Sequence, residues 1–334
     1  MKTVKHKVDQ SICVYGAGIL LKHCQALAQE IEGVRSGSED IEFIHRMRVA
    51  TRRLRSAFPL FEMCLPPKKG PLWLAQIKKV TRALGAARDT DVQLDALRQL
   101  YANLSDKQYR PGLTRLMLRL SQKRRRLQAP LTHAMQAFQD SQVLEDMVKR
   151  LTPLADMQAA IYLYTPALYE HSYNAIHEHL NELLAYDDIV FQPEKKEELH
   201  AMRISAKWLR YTLENLGPIY NNSLKPHLQT VRNAQEMLGD IHDYDLWIDF
   251  LPVFLQEERQ RTLDFFGSER SFKRVIPGVL YFADDRQALR DERYQQFTAA
   301  WQGWQEEAVW DNLREIIRLP FHRTLNPPAE TVEV

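Results

Sequence analysis

His45-Arg46-Met47-Arg48-Val49-Ala50-Thr51-Arg52-Arg53-Leu54-Arg55 is the stretch of sequence on which the predicted fold rests. It contains neither Gly nor Pro and is rich in good helix formers, so it predicts an α-helix. At about 100° per residue, the face opposite the charged one carries apolar side chains such as Met47 and Leu54. Four cationic side chains fall within an arc of roughly 80° and form what we call the first basic column: His45, Arg48, Arg52 and Arg55.

The same arrangement recurs later in the chain, at residues 200–210. Downstream of both copies, a Leu-Gly pair precedes an Asp-x-Asp sequence, at 84–91 and at 238–245. This internal repeat predicts two helical halves, residues 1–175 and 176–325, which pack as a pseudo-two-fold pair and are followed by a flexible tail, 326–334. The two columns then face a shared groove or pore. The members of the second basic column are His200, Arg203, Lys207 and Arg210.

Helical periodicity extends along the whole chain of 334 residues, without the sustained alternation of β-strands. The predicted fold class is therefore all-α, with two pseudo-symmetric helical bundles enclosing a basic groove or pore. No run of about 18 apolar residues is present, so no membrane-spanning helix is expected. Helices are predicted at 9–32, 39–63, 71–86, 89–103, 110–138, 141–151, 156–185, 193–215, 222–239, 243–264, 269–275, 284–308 and 310–318.

Charge and cysteine content limit the classes of function. The formal net charge is only +2, so any binding of anions must come from sorting charge onto a local surface. The three cysteines, Cys13, Cys24 and Cys64, are odd in number and suit neither a disulfide framework nor a metal cluster. We interpret them as buried thiols in a reducing compartment. The Lys-containing N-terminus lacks a cleavage site after Ile12–Leu21, so a cytoplasmic location is expected.

The basic columns favour phosphate as the bound group. The planar donors of Arg match phosphate oxygens, and neighbours three or four residues apart are spaced about 4.5–6 Å along the helix, which suits a linear phosphate chain. A single basic face is commonly only solvated surface, but repulsive faces at matched positions in both halves favour binding. Glu236 replaces Arg82 in the second half, which is therefore expected to contribute less. The further candidates are Lys78, Lys79, Arg82, Arg88, Arg115, Arg119, Lys123, Arg126, Arg232, Arg286, Arg290 and Arg293.

The Asp-x-Asp sequences allow two interpretations. After a Leu-Gly helix end, Asp89 and Asp243 would cap the next helix and hold cationic side chains in place. Paired carboxylates can instead bind a hard cation or act in acid–base catalysis. The two column histidines, His45 and His200, are either packing residues or further contacts for an anion, near which their pKa would rise.

The motif His-x-x-Arg-Val-x-x-Arg-Arg-Leu-Arg at 45–55, its echo at 200–210 and the Leu-Gly…Asp-x-Asp sequences resemble the CHAD (conserved histidine α-helical domain) family over nearly the whole chain. The resemblance implies two helical bundles around a basic pore, binding of inorganic polyphosphate through both columns, location on polyphosphate granules and partners among polyphosphate-metabolising proteins. Lys207 in place of Arg52 and Trp208 in place of Arg53 are departures within the second copy. The alternating Glu-x-Glu-x-Lys strand of a CYTH-type hydrolase is absent from this sequence, so a stand-alone member is expected.

The resulting hypothesis is a non-catalytic polyphosphate-binding protein without cofactor, bound metal or catalytic residues. One alternative is a metal-dependent phosphohydrolase, because His200 and the pair His242-Asp243 are similar to the residues of helical HD enzymes. Arg88 stands where the first half would need the matching His. The other alternative is a scaffold for nucleic-acid backbones, although no base-reading motif is present.

Overall fold

The computed structural model describes residues 9–35 and 42–325 of the chain. Within them the secondary structure is helical, without a β-strand, which confirms the all-α prediction. None of the described helices combines the length and the apolar character needed to cross a bilayer. The predicted tail, 326–334, and the start of the second predicted helix, 39–41, lie outside the described residues. The α-helices are α1 (Gln10–Arg35), α2 (Glu42–Leu60), α3 (Gly70–Ala102), α4 (Arg110–Asp140), α5 (Val143–Ala155), α6 (Pro166–Leu184), α7 (Lys196–Leu216), α8 (Lys225–Phe266), α9 (Ile276–Glu306) and α10 (Val309–Leu325).

The Leu-Gly pairs do not end helices, and this prediction was wrong. Gly85 lies in the middle of α3 and Gly239 in the middle of α8, so each long helix replaces two predicted ones. Glycine costs a helix about 1 kcal/mol relative to alanine. The preceding leucines, Leu84 and Leu238, are both buried, and their packing outweighs that cost. The Asp-x-Asp sequences therefore lie on helix faces and are not helix caps.

Two Pro-Gly pairs, Pro111-Gly112 and Pro277-Gly278, lie in the first turns of α4 and α9 and do not interrupt these helices. Pro is tolerated there because the first turn has no intrahelical acceptor for its missing N–H. α9 thus begins at Ile276 instead of 284, and the predicted helix at 269–275 is only a 3₁₀ turn at Phe272–Arg274. Gly112 of α4 and Gly278 of α9 contact each other: a Cβ added to Gly112 would lie 2.7 Å from the Cα of Gly278.

Two hydrophobic cores hold the helices together. The larger core includes the buried side chains of Phe61, Trp73 and Trp301. The smaller core lies where α3 and α4 pack against α8 and α9, around residues such as Leu113 and Phe254. Both cores draw residues from before and after the predicted boundary at 175, which itself lies within α6. The pseudo-two-fold relation between the halves stays a prediction.

Cys13 and Cys64 form a disulfide, so the prediction of three unpaired thiols was wrong for these two. Cys24 is unpaired and buried, as predicted. The pairing was hidden because 51 residues separate the two cysteines in the chain, whereas their Cα atoms lie 5.2 Å apart. They meet because α2 packs against α1 and its C-terminal extension brings Cys64 to Cys13. Since disulfides are rare in reducing compartments, the cysteines no longer support that inference about location.

Candidate anion-binding site

The central members of both basic columns lie together where α2 contacts α7. The guanidinium of Arg52 lies over the ring of Tyr211 on α7, 5.7 Å from its centroid. The pKa of Lys207 is lowered to about 8, first by burial and then by the charges of neighbouring arginines on both helices. Such an effect requires that these charges be close to the amine. We call the resulting group the basic cluster: Arg48, Arg52, Arg55, Arg203 and Lys207.

The five cations of the basic cluster repel one another, and nearby carboxylates offset only part of their charge. Burial and the charges of Arg82 and Arg52 lower the pKa of Arg55. Of the five members, Arg48 has a carboxylate within ion-pair distance among the described residues, with its Nη1 3.0 Å from Oδ1 of Asp89. Burial lowers the pKa of Arg203, and Asp243 offsets this in part. Like charges held this close are destabilising unless an anion joins them.

The Asp-x-Asp sequences hold cationic side chains, as predicted, but they do so from helix faces and not from helix caps. The second Asp of each sequence is buried and pairs with a neighbouring helix: Asp91 with Nε of Arg124 at 2.8 Å, and Asp245 with Nε of Arg290 at 3.0 Å. The first Asp of each, Asp89 and Asp243, lines the cleft beside the basic cluster. Each sequence thus fixes its helix with one carboxylate and places the other near the arginines.

The column histidines lie at the margin of the basic cluster and are held neutral. Burial and the charge of Arg88 lower the pKa of His45. The rings of His200 and His242 pack together with centroids 3.9 Å apart. Burial, His200 and Arg203 together lower the pKa of His242 to about 4. These imidazoles therefore carry no charge at neutral pH in the free protein.

Two clefts open beside α2. One, of about 570 Å³, is lined by Arg48, Arg52 and Arg203 together with Asp89, Asp243 and Arg286. The other, of about 600 Å³, lies among α1, α2, α7 and α8 and is lined by His45, Arg46, Arg53, Glu214 and Arg232. Two neighbouring faces of α2 thus present cations to the two clefts.

Glu214, which sequence reasoning missed, gathers three arginines at the second cleft. Its carboxylate lies 3.4 Å from Nε of Arg53, 3.0 Å from Nε of Arg210 and 3.7 Å from Nη2 of Arg232. The spacing of four residues from Arg210 was the available signal, since such pairs face each other on a helix. Glu214 therefore occupies a position that an anionic ligand would compete for.

Several other predicted cations are already paired with the protein's own acids. Arg115 and Arg119 donate to Glu258, whose side chain is 0% exposed. Arg293 donates to Asp240, with 2.8 Å between its Nε and Oδ2. Arg286 pairs with Asp285 and lies over the rings of Tyr244 and Phe282. Exposed candidates for which no carboxylate lies within ion-pair distance in the described part of the chain are Lys78, Lys79, Arg82, Lys123 and Arg126.

The described residues contain no group of three or more His, Cys, Asp or Glu side chains arranged to hold a metal ion. His200, His242 and Asp243 lie near one another on α7 and α8, with Arg203 beside them. The phosphohydrolase alternative stays a hypothesis.

No curated protein matches the chain. The CHAD domain from the plant Ricinus communis is similar in fold at 21% identity, with a TM-score of 0.55 over 96% of this chain and 95% of that one. PptA from Streptomyces chartreusis is similar at 16% identity, with a TM-score of 0.54 over 87% of this chain and 99% of that one. At these identities the likeness establishes the fold alone. The family model of the CHAD domain matches residues 18–252, most of the chain, and the protein therefore belongs to the CHAD domain family.

Proposed function

We propose that the protein binds inorganic polyphosphate without catalysis. The observation that carries the proposal is the basic cluster, in which α2 and α7 bring five cations together. Among the described residues, Asp89 is the one carboxylate within ion-pair distance of any of the five. A linear polyanion supplies the missing negative charge at intervals that match the column spacing of about 4.5–6 Å. A single orthophosphate would engage only one or two of these groups. Membership of the CHAD family supports the same ligand, and location on cytoplasmic polyphosphate granules is part of the proposal.

The test is a titration of the intact protein with long-chain polyphosphate, short-chain polyphosphate and orthophosphate at several salt concentrations. Affinity should rise with chain length and fall steeply with salt, because each neutralised phosphate releases counterions. Competition with single-stranded RNA and duplex DNA at fixed ionic strength separates polyphosphate binding from general binding of phosphodiesters. Equal affinity for orthophosphate and long polyphosphate, or preference for a nucleic acid, would contradict the proposal.

Lys207 should make the affinity depend on pH above neutrality. Its pKa is lowered to about 8 in the free protein, and a bound polyanion favours the charged ammonium, so the pKa in the complex is higher. As pH rises above 8, the free amine loses its proton and binding has to take one up. Affinity should therefore fall by up to roughly tenfold per pH unit in this range.

Calorimetry in buffers of different ionisation enthalpy measures this proton uptake. Lys207→Arg is the control, because a guanidinium stays charged over the same range. The affinity of the variant should depend little on pH over the roughly two pH units around 8 in which the Lys207 amine would titrate. An identical pH profile for the variant would show that another group titrates.

Glu214→Gln should tighten polyphosphate binding several-fold. The substitution removes the carboxylate that competes with the ligand for Arg53, Arg210 and Arg232. It should also lower the thermal midpoint, since three guanidiniums lose their shared partner. Glu145→Gln on α5 removes the same charge from an exposed side chain and is the matched control. If both variants tighten binding equally, only net charge matters and Glu214 has no local role.

A further inference from the structure

Two adjacent phenylalanines are exposed where α8 ends. Phe265 is 81% exposed and Phe266 is 62% exposed, and their rings pack edge to face with centroids 4.7 Å apart. Gly267 follows at a φ of +64°, a conformation that glycine adopts without strain, and turns the chain away from the helix. Neither ring contributes to the two hydrophobic cores. Exposed apolar side chains this large, side by side, are typical of an interaction surface.

The turn that carries these rings is held on both sides. The N–H of Gly267 donates to the carbonyl of Leu263 at 2.8 Å and closes the end of the helix. Arg259 binds Glu269 across the turn, with 2.7 Å between Nη2 and Oε1. Phe272 is buried in the smaller core and anchors the following loop. The two exposed phenylalanines thus lie at an end of α8 that hydrogen bonds and packing hold in place.

Three cations follow the phenylalanine pair within eight residues of Phe266. Arg270, Lys273 and Arg274 are exposed, and no carboxylate of the described residues lies within ion-pair distance of them. Of the neighbouring acids, Glu269 pairs with Arg259, whereas Asp264 accepts only from the neutral side-chain amide of Gln260 and keeps its negative charge. The end of α8 therefore combines two exposed aromatic rings with an excess of positive charge, three cations against the one carboxylate of Asp264.

We propose that this end of α8, which we call the Phe tip (Phe265, Phe266, Arg270, Lys273 and Arg274), docks the protein on an anionic lipid bilayer. Two largely exposed rings suit a partner into which they can insert, and the boundary between headgroups and acyl chains accepts aromatic side chains. The three cations match the negative surface potential of such a bilayer. Peripheral attachment of this kind requires no membrane-spanning helix.

The Phe tip is far from the basic cluster. Phe266 follows His242 by 24 residues on the same helix, which corresponds to about 36 Å along its axis. Lipid binding and polyphosphate binding should therefore be separable by substitution. The inference does not depend on the identity of the ligand at the basic cluster.

The experiment is co-sedimentation of the intact protein with vesicles of phosphatidylcholine alone or with added phosphatidylserine. The protein should pellet with the anionic vesicles, and salt should weaken this binding. Phe265→Ser with Phe266→Ser should weaken it by about tenfold or more, because the rings no longer enter the interface. Arg270→Gln, Lys273→Gln and Arg274→Gln should weaken it by roughly fivefold per cation at low ionic strength.

Tyr162→Ser removes another exposed aromatic ring, in the loop before α6, and should change nothing. Circular dichroism and the thermal midpoint check that each variant is folded. Equal binding to neutral vesicles, or equal binding by the double serine variant, overturns the proposal. Loss of vesicle binding on charge reversal at Arg48 and Arg52 also overturns it, because the basic cluster would then be the lipid-binding surface.

Discussion

The double variant Arg48→Glu with Arg52→Glu, which reverses two charges, should abolish polyphosphate binding, with a loss of affinity on the order of 100-fold or more. Both guanidiniums belong to the basic cluster, and both act on Lys207 across the contact between α2 and α7. Each substitution removes one phosphate contact and introduces a charge that repels the ligand. The secondary structure should be retained, because both side chains project from the face of α2 opposite the buried Met47 and Leu54. Titration with long-chain polyphosphate at low salt measures the effect.

The matched control reverses two charges elsewhere. Arg270→Glu with Lys273→Glu produces the same change in net charge at the Phe tip, in residues that follow the C-terminal end of α8. This control should bind polyphosphate nearly as tightly as the unmodified protein. If the two double variants lose affinity equally, binding follows overall charge and the basic cluster is not a site.

Glu258→Gln should cause the largest loss of stability among substitutions of a single charged side chain, about 3–5 kcal/mol in the free energy of unfolding. The carboxylate is fully buried and accepts hydrogen bonds from Arg115, Arg119 and Arg261. Without its charge, three guanidiniums repel one another at the edge of the smaller core. Denaturant unfolding, monitored by circular dichroism, measures the loss.

The pH dependence of stability gives the same prediction a second measurement. Burial raises the pKa of Glu258, but hydrogen bonds from Arg119, Arg261 and Arg115 outweigh this effect, and the net pKa is lowered. A lowered pKa in the folded state means that the stabilisation is present above the pKa of the unfolded chain. It is lost as the pH falls through the folded-state value. The variant should therefore lose less stability on acidification than the unmodified protein.

Glu257→Gln is the control for Glu258. Glu257 is the preceding residue on α8 and pairs with Arg261, 2.7 Å from its Nη2, but it is exposed. An exposed pair contributes at most about 1 kcal/mol, so its loss should be small. Comparable destabilisation by the two substitutions would show that the three arginines do not need the buried carboxylate.

Two arginine pairs with the same spacing have different environments in the structure, and the sequence does not distinguish them. Arg48 and Arg52 are spaced by four residues, as are Arg115 and Arg119, and both pairs were predicted to face a polyanion. Glu258 is 143 residues from Arg115 in the chain, yet it accepts hydrogen bonds from both members of the second pair. Nothing local to residues 110–126 indicates that partner, because an ion pair depends on which distant helix packs alongside.

For the fold too, some features depend on local sequence and others on long-range packing. The period of about 3.6 residues encodes which face of a helix is apolar, so the all-α class and the two basic columns could be predicted from local sequence. The continuity of α3 and α8 through Gly85 and Gly239 could not, since packing of the leucines beside them outweighs a local cost of about 1 kcal/mol. The disulfide between Cys13 and Cys64 likewise required the packing of α2 against α1.

By itself, the sequence determined the helical class, the amphipathic faces and the recurrence of a cationic column at 45–55 and 200–210, because each of these depends on residues within a few turns of one another. Tertiary structure alone decided which cations remain uncompensated, where α2 contacts α7 and which thiols meet. Those outcomes depend on groups brought together from distant parts of the chain, and electrostatic energy follows distance in space.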